Sequence, residues 1–347
     1  MNDPPSSSRR DFLSGRAALS ALRNAAPEIE EEPQPTAYLM HAGRRAMAAE
    51  FQVYFNAEEN DDATEAVMAG LDQIEALERQ MTIYQSSSEI SRLNQQAAEQ
   101  PVKVEAQLFA LLELAARIYE HTGGAFDITS GPLSQVWGFS RRQGRFPQAE
   151  ELQEALDRVG GRWLEFDRQQ QTIRFQKPGL EINLGGIGKG YALDRCSEIL
   201  RTWGVENFLI HGGLSSVLAY GNRAETGPEP GWRVGVLHPL REERRLTEIR
   251  LHNRAMGTSG SGKQFFYHQG RRYGHVLDPR NGQPAEGVLS ATVLAPTAAE
   301  ADALATAFYV MGAEASLHYC REHPEISTLI ATPARRAGEV EIHTANW

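Results

Sequence analysis

The stretch GTSGSGKQFFYHQGRRYGHVLDPRNGQP, Gly257 to Pro284, decides between two architectures. It opens as G-x-x-x-x-G-K, the start of a phosphate-binding loop, whose next position needs a Ser or Thr hydroxyl for Mg²⁺. Gln264 stands there instead. Phe265-Phe266-Tyr267 follows, an aromatic run that suits a strand where such a loop requires a helix facing the phosphates. The segment therefore offers backbone that suits a phosphate-bearing ligand and lacks NTPase machinery.

Outward from that stretch, the chain alternates strands and helices only loosely. Residues 1–36 are rich in Ser, Pro, Ala and Glu and read as a tail, with structure beginning near Tyr38. Glu50 to Phe55 alternates as a half-buried strand, and residues 61–80 carry Ala66, Leu71, Ile74 and Leu77 at helical spacing. Further helices are predicted over 108–119, 147–159, 187–203 and 298–311. Short β-like runs occupy 163–166, 172–175, 208–210, 217–220, 232–236 and 246–251. Strands and helices are segregated more than alternated, which predicts an α+β fold and not a doubly wound sheet.

Composition bounds the function. The 347 residues can bury a sizeable core, and 41% hydrophobic with 23% charged content is that of a soluble globular protein. A net charge of −10 gives no basic surplus for phosphates, which argues against nucleic acid as a partner. No apolar run reaches the ~18 residues of a transmembrane helix. Cys196 and Cys320 have no metal-like spacing and read as buried thiols. Ser8-Arg9-Arg10-Asp11-Phe12-Leu13 matches a twin-arginine export signal, but Arg16 interrupts the apolar region that should follow. Degenerate export signal and plain polar tail both remain open, and with them a periplasmic or a cytoplasmic location.

Four clusters could carry chemistry. Residues 123–133 end a helix and present Asp127 and Thr129, which an ordinary Asx turn would also explain. Asn183 to Ala192 places four glycines and Lys189 at a helix start, where backbone and dipole suit an anion. His211 at a strand end reads as structural. In the fourth, His275 enters a short strand ending at the turn-forming Asp278-Pro279. Beyond it, Asp302 and Thr306 share one helix face with oxygens suited to a hard cation such as Mg²⁺. Helix-dipole stabilisation by Asp302 and back-bonding by Thr306 are the alternatives.

Seven segments, taken in order, resemble the FAD:protein FMN transferases, the ApbE-like flavin transferases. They are MTIYQSSSEISRLN at 81–94, GGAFDITSGPL at 123–133, NLGGIGKGYALD at 183–194, HGGLSSVLAYG at 211–221, GTSGSGKQFF at 257–266, GHVLDPRNGQPA at 274–285 and ADALATAFYVMG at 301–312. The resemblance implies an α+β fold related to the T-fold, of mixed sheets with packed helices, forming one domain over 38–347. It implies Mg²⁺-dependent cleavage of the FAD pyrophosphate, release of AMP, and FMN left on a Ser or Thr of a flavoprotein partner. Residue by residue, it implies that Asp302, Thr306 and the Gly186 carbonyl hold the metal. Met47, Tyr84, Ala125, Phe126, Asp127, Asn183, Lys189 and Val276 would contact FAD, and His275 would activate the incoming hydroxyl. The Thr258–Gly260 turn would join the nucleotide pocket, with Lys263 an auxiliary charge. Three positions depart from the family's pattern: Ala48-Ala49 after Met47 in place of Gly-Thr, Asn183 in place of Asp, and Leu214 in place of an acidic or amide residue. They favour one alternative, a flavin-binding protein without turnover; a second alternative is an FAD pyrophosphatase yielding FMN and AMP.

Overall fold

An eight-stranded sheet organises the chain, in a computed structural model that describes residues 39–56, 60–223, 230–260, 264–336 and 338–347. The tail at 1–36 and Lys263 lie outside the described residues. In chain order the elements are β1 (Leu39–Ala46), β2 (Ala49–Asn56), α1 (Ala63–Met81), α2 (Glu89–Gln96), β3 (Val102–Lys103), α3 (Ala106–His121), α4 (Gly131–Val136) and α5 (Ala149–Leu156). Then follow β4 (Leu164–Asp167), β5 (Thr172–Phe175), α6 (Gly188–Thr202), β6 (Phe208–Gly212), β7 (Ser216–Tyr220), β8 (Trp232–His238), β9 (Arg241–Leu251) and β10 (Arg254–Gly260). The last are β11 (Phe265–His268), β12 (Arg271–Gly274), β13 (Ser290–Ala295), α7 (Ala298–Met311), α8 (Ala313–Glu322), β14 (Ser327–Pro333) and β15 (Val340–Ala345).

The large sheet runs β1-β2-β6-β7-β10-β13-β14-β15, antiparallel at each pairing. Antiparallel strands alternate their side chains, and here both faces are covered. Ala255 of β10 and Ala291 and Val293 of β13 join the main core under α1, α6 and α7. Met256 and Leu294 turn the other way, with Val217 and Ala219, to pack beneath Trp232, Val236 and Leu251 of the β8–β9 ribbon. Smaller sheets, β3-β5-β4 and β11-β12, flank this body.

α7 lies in the centre of the molecule. Eleven of its residues are buried, Ala299, Ala303, Leu304 and Phe308 among them, so it is apolar all round and not amphipathic. Thr297 caps its start, and Gly312 at φ 81° ends it. Burying Leu304 and Phe308 contributes roughly 1.5–3 kcal/mol each.

Most predicted elements are present with small boundary shifts. α3 starts two residues early because the Glu105 carboxylate accepts from both Gln107 N and Leu108 N at 3.0 Å. One expectation fails: Thr258 to Gly260 is no turn. It is the end of β10, paired with residues 290–292 of β13, since its glycines serve close packing and not reversal. The strand expected after His275 shrinks to a single bridge between Leu277 and Pro284. The α+β class holds.

Candidate active site

Two helices bring the site together because glycine lets them touch backbone to backbone. A Cβ on Gly190 of α6 would lie 2.0 Å from the Ala298 carbonyl oxygen, and one on Gly257 of β10 would lie 2.4 Å from that of Ala301. α7 is thereby seated against α6 and β10, and the two helices exchange carboxylates. Asp302 of α7 accepts from Gly190 N at 2.7 Å, in the first turn of α6, and from Ser216 Oγ at 2.7 and 2.9 Å. Asp194 of α6 accepts from Ala298 N at 2.7 Å and Ala299 N at 2.9 Å, the first turn of α7. Each carboxylate thus sits at the positive end of the other helix. Burial pushes both up, Asp194 to about 7; Lys189 and the bonds from Ser216 and Gly190 oppose the rise at Asp302.

Gly190 is the third residue of α6, where an N–H has no intrahelical acceptor, and Asp302 supplies one. Gly186 lies before the helix start, so its carbonyl is outside the intrahelical ladder. Gly186 also faces Thr306: a Cβ there would lie 3.6 Å from Thr306 Oγ1 and 3.1 Å from the Phe126 ring. Thr306 Oγ1 donates back to the Asp302 carbonyl at 3.2 Å. Asp302, Thr306 and Gly186, expected together from the sequence, are neighbours. Their donors are one carboxylate, one hydroxyl and one carbonyl, hard oxygens that suit Mg²⁺ better than a softer metal. Among the described residues, no three His, Cys, Asp or Glu side chains form an alternative metal cluster.

His275 directly follows β12. Its Nδ1 lies 3.1 Å from the Gln264 carbonyl oxygen, which can only accept, so Nδ1 carries the hydrogen and Nε2 presents a lone pair. Burial lowers its pKa, the Gln264 bond opposes this, and the Lys189 charge lowers it further. The ring is therefore a neutral imidazole near pH 7. Lys189 acts electrostatically on both His275 and Asp302.

The other expected residues fall into three groups. Asn183 N donates to Ile128 O at 2.7 Å and its Oδ1 accepts from Gly185 N at 2.9 Å, joining the 123–130 loop to the glycine-rich one. Ala125, Phe126 and Val276 are buried in the core that backs these loops. Asp127 is spent inside the fold: it accepts from Thr129 N and Oγ1, each at 2.7 Å, and from Gly161 N at 2.9 Å. That is the Asx turn with an added anchor, and it holds the loop's shape.

Tyr84, 76% exposed, lines a cleft of about 540 Å³ with Gln135, Ser140, Arg141 and Glu181. Gln264 Nε2 donates to Phe139 O at 2.8 Å and the Phe139 ring meets His275 edge-on, so the cleft adjoins the histidine. Met47 sits apart, in the two-residue turn between β1 and β2, and no contact joins it to Asp302 or His275 among the described residues. Met47 and Ala48 both have left-handed backbone, φ 50° and 56°, in a turn that favours Asn-Gly.

His211 is half-buried, its Nε2 lies 3.2 Å from Gln52 Oε1, and burial lowers its pKa. Asp278 folds onto Arg280 through its own turn. Sequence reasoning passed over Ser216, Asp194 and the Gln264 carbonyl. Asp194 closes the quoted NLGGIGKGYALD segment, four residues after Gly190 and so on the same helix face. Ser216 and Gln264 act through partners remote in sequence, and no local pattern marks them.

Known proteins resemble this chain in sequence and fold. The ApbE family matches residues 47–330. The FAD:protein FMN transferase of Klebsiella pneumoniae is 32% identical over 256 residues, 72% of either chain. That of Treponema pallidum is 31% identical over 285 residues, 78% of this chain and 79% of the other. The crystal structure of the ApbE protein of Thermotoga maritima superposes with a TM-score of 0.78 at 30% identity, over 88% of this chain and 97% of that one. The flavin transferase ApbE of Vibrio cholerae gives 0.77 at 27% identity, over 89% and 97%. With most of its length matched by the family and its architecture shared with solved members, the chain belongs to the ApbE family.

Proposed function

We propose that the protein is an FAD:protein FMN transferase, with residues 38–347 as its single catalytic domain. One observation carries the reading: in a chain of the ApbE family, the oxygen-bearing residues Asp302, Thr306 and Gly186 are neighbours, and Lys189 acts electrostatically on both Asp302 and His275. The substrates are FAD and a flavoprotein that presents a Ser or Thr hydroxyl.

Asp302, Thr306 and the Gly186 carbonyl would hold Mg²⁺, which when bound neutralises charge on the pyrophosphate oxygens. Lys189 adds a fixed positive charge for the same phosphates. The glycine-rich backbone at 185–190 lets the dinucleotide lie close to the chain, and Tyr84 offers an exposed ring to a planar group. Met47, Ala125, Phe126, Asn183 and Val276 complete the proposed FAD contacts; Asp127 acts there by shaping its loop. His275 Nε2 takes the proton from the acceptor hydroxyl. The hydroxyl oxygen then bonds the FMN-side phosphorus, the bond from that phosphorus to the bridging oxygen breaks, and AMP leaves with the electron pair.

The test is mass spectrometry of an acceptor peptide incubated with the protein, FAD and Mg²⁺. The expected outcome is an FMN adduct with one AMP released per adduct. AMP without an adduct would make the protein a pyrophosphatase, and FAD bound but intact would make it a flavin-binding protein.

A further inference from the structure

Gln264, which stands where a phosphate-binding loop needs a hydroxyl, is engaged at both its backbone and its side chain. It immediately precedes β11 and His275 immediately follows β12, so the two form the next pair of the hairpin after Phe265 and Gly274. The Gln264 carbonyl accepts from His275 N at 3.2 Å and lies 3.1 Å from His275 Nδ1. A carbonyl oxygen has two lone pairs, and this one spends both on His275. The side chain reaches the other way: Gln264 Nε2 donates to the Phe139 carbonyl at 2.8 Å. That carbonyl also accepts from Arg142 N at 3.1 Å, so its lone pairs are filled as well. Phe139 then returns to the start, its buried ring meeting the His275 ring edge-on with centroids 6.4 Å apart at 73°. The contacts run from amide to carbonyl, phenyl ring and imidazole, and close again on Gln264.

The Phe139 turn carries a second wall of the site. Phe139–Arg141 is a single helical turn set between left-handed Gly138 and Arg142, φ 75° and 55°. Its middle residue, Ser140, offers its carbonyl to the Tyr84 hydroxyl at 3.4 Å, and Gly138, Ser140 and Arg141 line the Tyr84 cleft. The turn thus touches both the ring proposed to meet the flavin and the histidine proposed as base, and the Gln264 amide bonds it to the hairpin. The Phe139 carbonyl can only accept, so the residue facing it has to donate, as an amide does and a thioether or carboxylate does not. Position matters here because proton transfer needs heavy atoms within about 2.6–3.2 Å, and a misplacement of about 1 Å can cost ~10²-fold in rate.

Resting on the transferase reading, we propose that Gln264 is a positioning residue: its side-chain amide fixes the Phe139 turn to the β11–β12 hairpin and so holds the His275 ring in its Nδ1–H form, at a set reach from the Tyr84 cleft. Gln264→Met keeps the length of the side chain and loses the donor. At about pH 8, above the acid limb of histidine, this variant should transfer FMN with kcat lowered about 10- to 100-fold, at unchanged acceptor KM and unchanged FAD affinity by titration. Ring-nitrogen NMR reads the tautomer directly, the His275 signals being identified by their loss in His275→Ala. Wild type should show the Nδ1–H form alone, and the Met variant a mixture of both forms. Gln264→Lys restores a donor at similar reach and should recover most of kcat. A wild-type His275 that carries its hydrogen on Nε2 overturns the role without any variant at Gln264. A Met variant with wild-type kcat or wild-type His275 signals, or a Lys variant no faster than the Met one, overturns it while transfer stands. Wild type that releases AMP and forms no adduct overturns the transferase reading, and the positioning role with it.

Discussion

Replacing Asp302 in two ways separates its structural from its chemical duty. In Asp302→Ala the Gly190 N–H and the Ser216 hydroxyl both lose their acceptor in a buried place. At about 1–3 kcal/mol for each orphaned group, the loss is roughly 2–6 kcal/mol. In Asp302→Asn neither need be orphaned: the amide oxygen keeps Gly190, and the Ser216 hydroxyl turns to accept from the amide nitrogen. The substitution also removes a buried charge. Because burial raises the Asp302 pKa, the folded state holds its proton to higher pH than the unfolded chain does. The Asp302 contribution to the stability of metal-free wild type is therefore greatest at low pH and is lost as pH rises through that raised value. Asn does not titrate, so the two proteins should converge in acid and separate toward neutrality, with the variant the more stable. Transfer should nonetheless fall about a thousandfold, for ~4 kcal/mol of lost charge stabilisation. Thermal unfolding between about pH 5 and 8, with and without Mg²⁺, and the rate of FMN transfer give the readouts. An Asn variant as unstable as the Ala one would show that only the full carboxylate satisfies these partners. An Asn variant that transfers at the wild-type rate would refute its role at the metal.

The remaining predictions concern the other walls of the site. The lowered pKa of His275 places the acid limb of the rate–pH profile below the usual ~6.5 for histidine. His275→Ala should slow transfer roughly 10²–10⁴-fold and erase that limb, with FAD affinity measured by titration unchanged; a limb that persists assigns the titration to another group. Gly257→Ala puts a methyl group against the Ala301 carbonyl, so unfolding in denaturant should show a loss of about 1–3 kcal/mol or more, with activity lost as α7 shifts. Ala48→Gly relieves a left-handed alanine and should stabilise by about 0.5–1 kcal/mol, net of the extra freedom glycine gives the unfolded chain. A destabilised Ala48→Gly would show that the turn carries no such strain.

Much of this protein was legible in local pattern, because amphipathic spacing and glycine punctuation act over a few residues. α1 follows from apolar periodicity, α3 from an apolar run that glycines end and α7 from its Ala-rich composition, and Gln264 with the aromatics after it excludes a phosphate-loop NTPase. The pairing of Asp302 with Thr306 on one face follows from helical geometry alone. Tertiary structure decided the rest. The glycines at 257–260 sit in a strand because α7 must approach β10 backbone to backbone, which no count of residues along the chain can foresee. β1, β13, β14, β15, α2 and α8 escaped the pattern; Ser290 to Ala295, for one, is buried on both faces and shows no alternation. Only the crossing of α6 and α7 brings the Asp302 carboxylate onto Gly190 N. The Gln264 to Pro284 segment supplied its histidine in sequence, but the tautomer of that histidine is set by a carbonyl eleven residues away, across a hairpin that had to fold first.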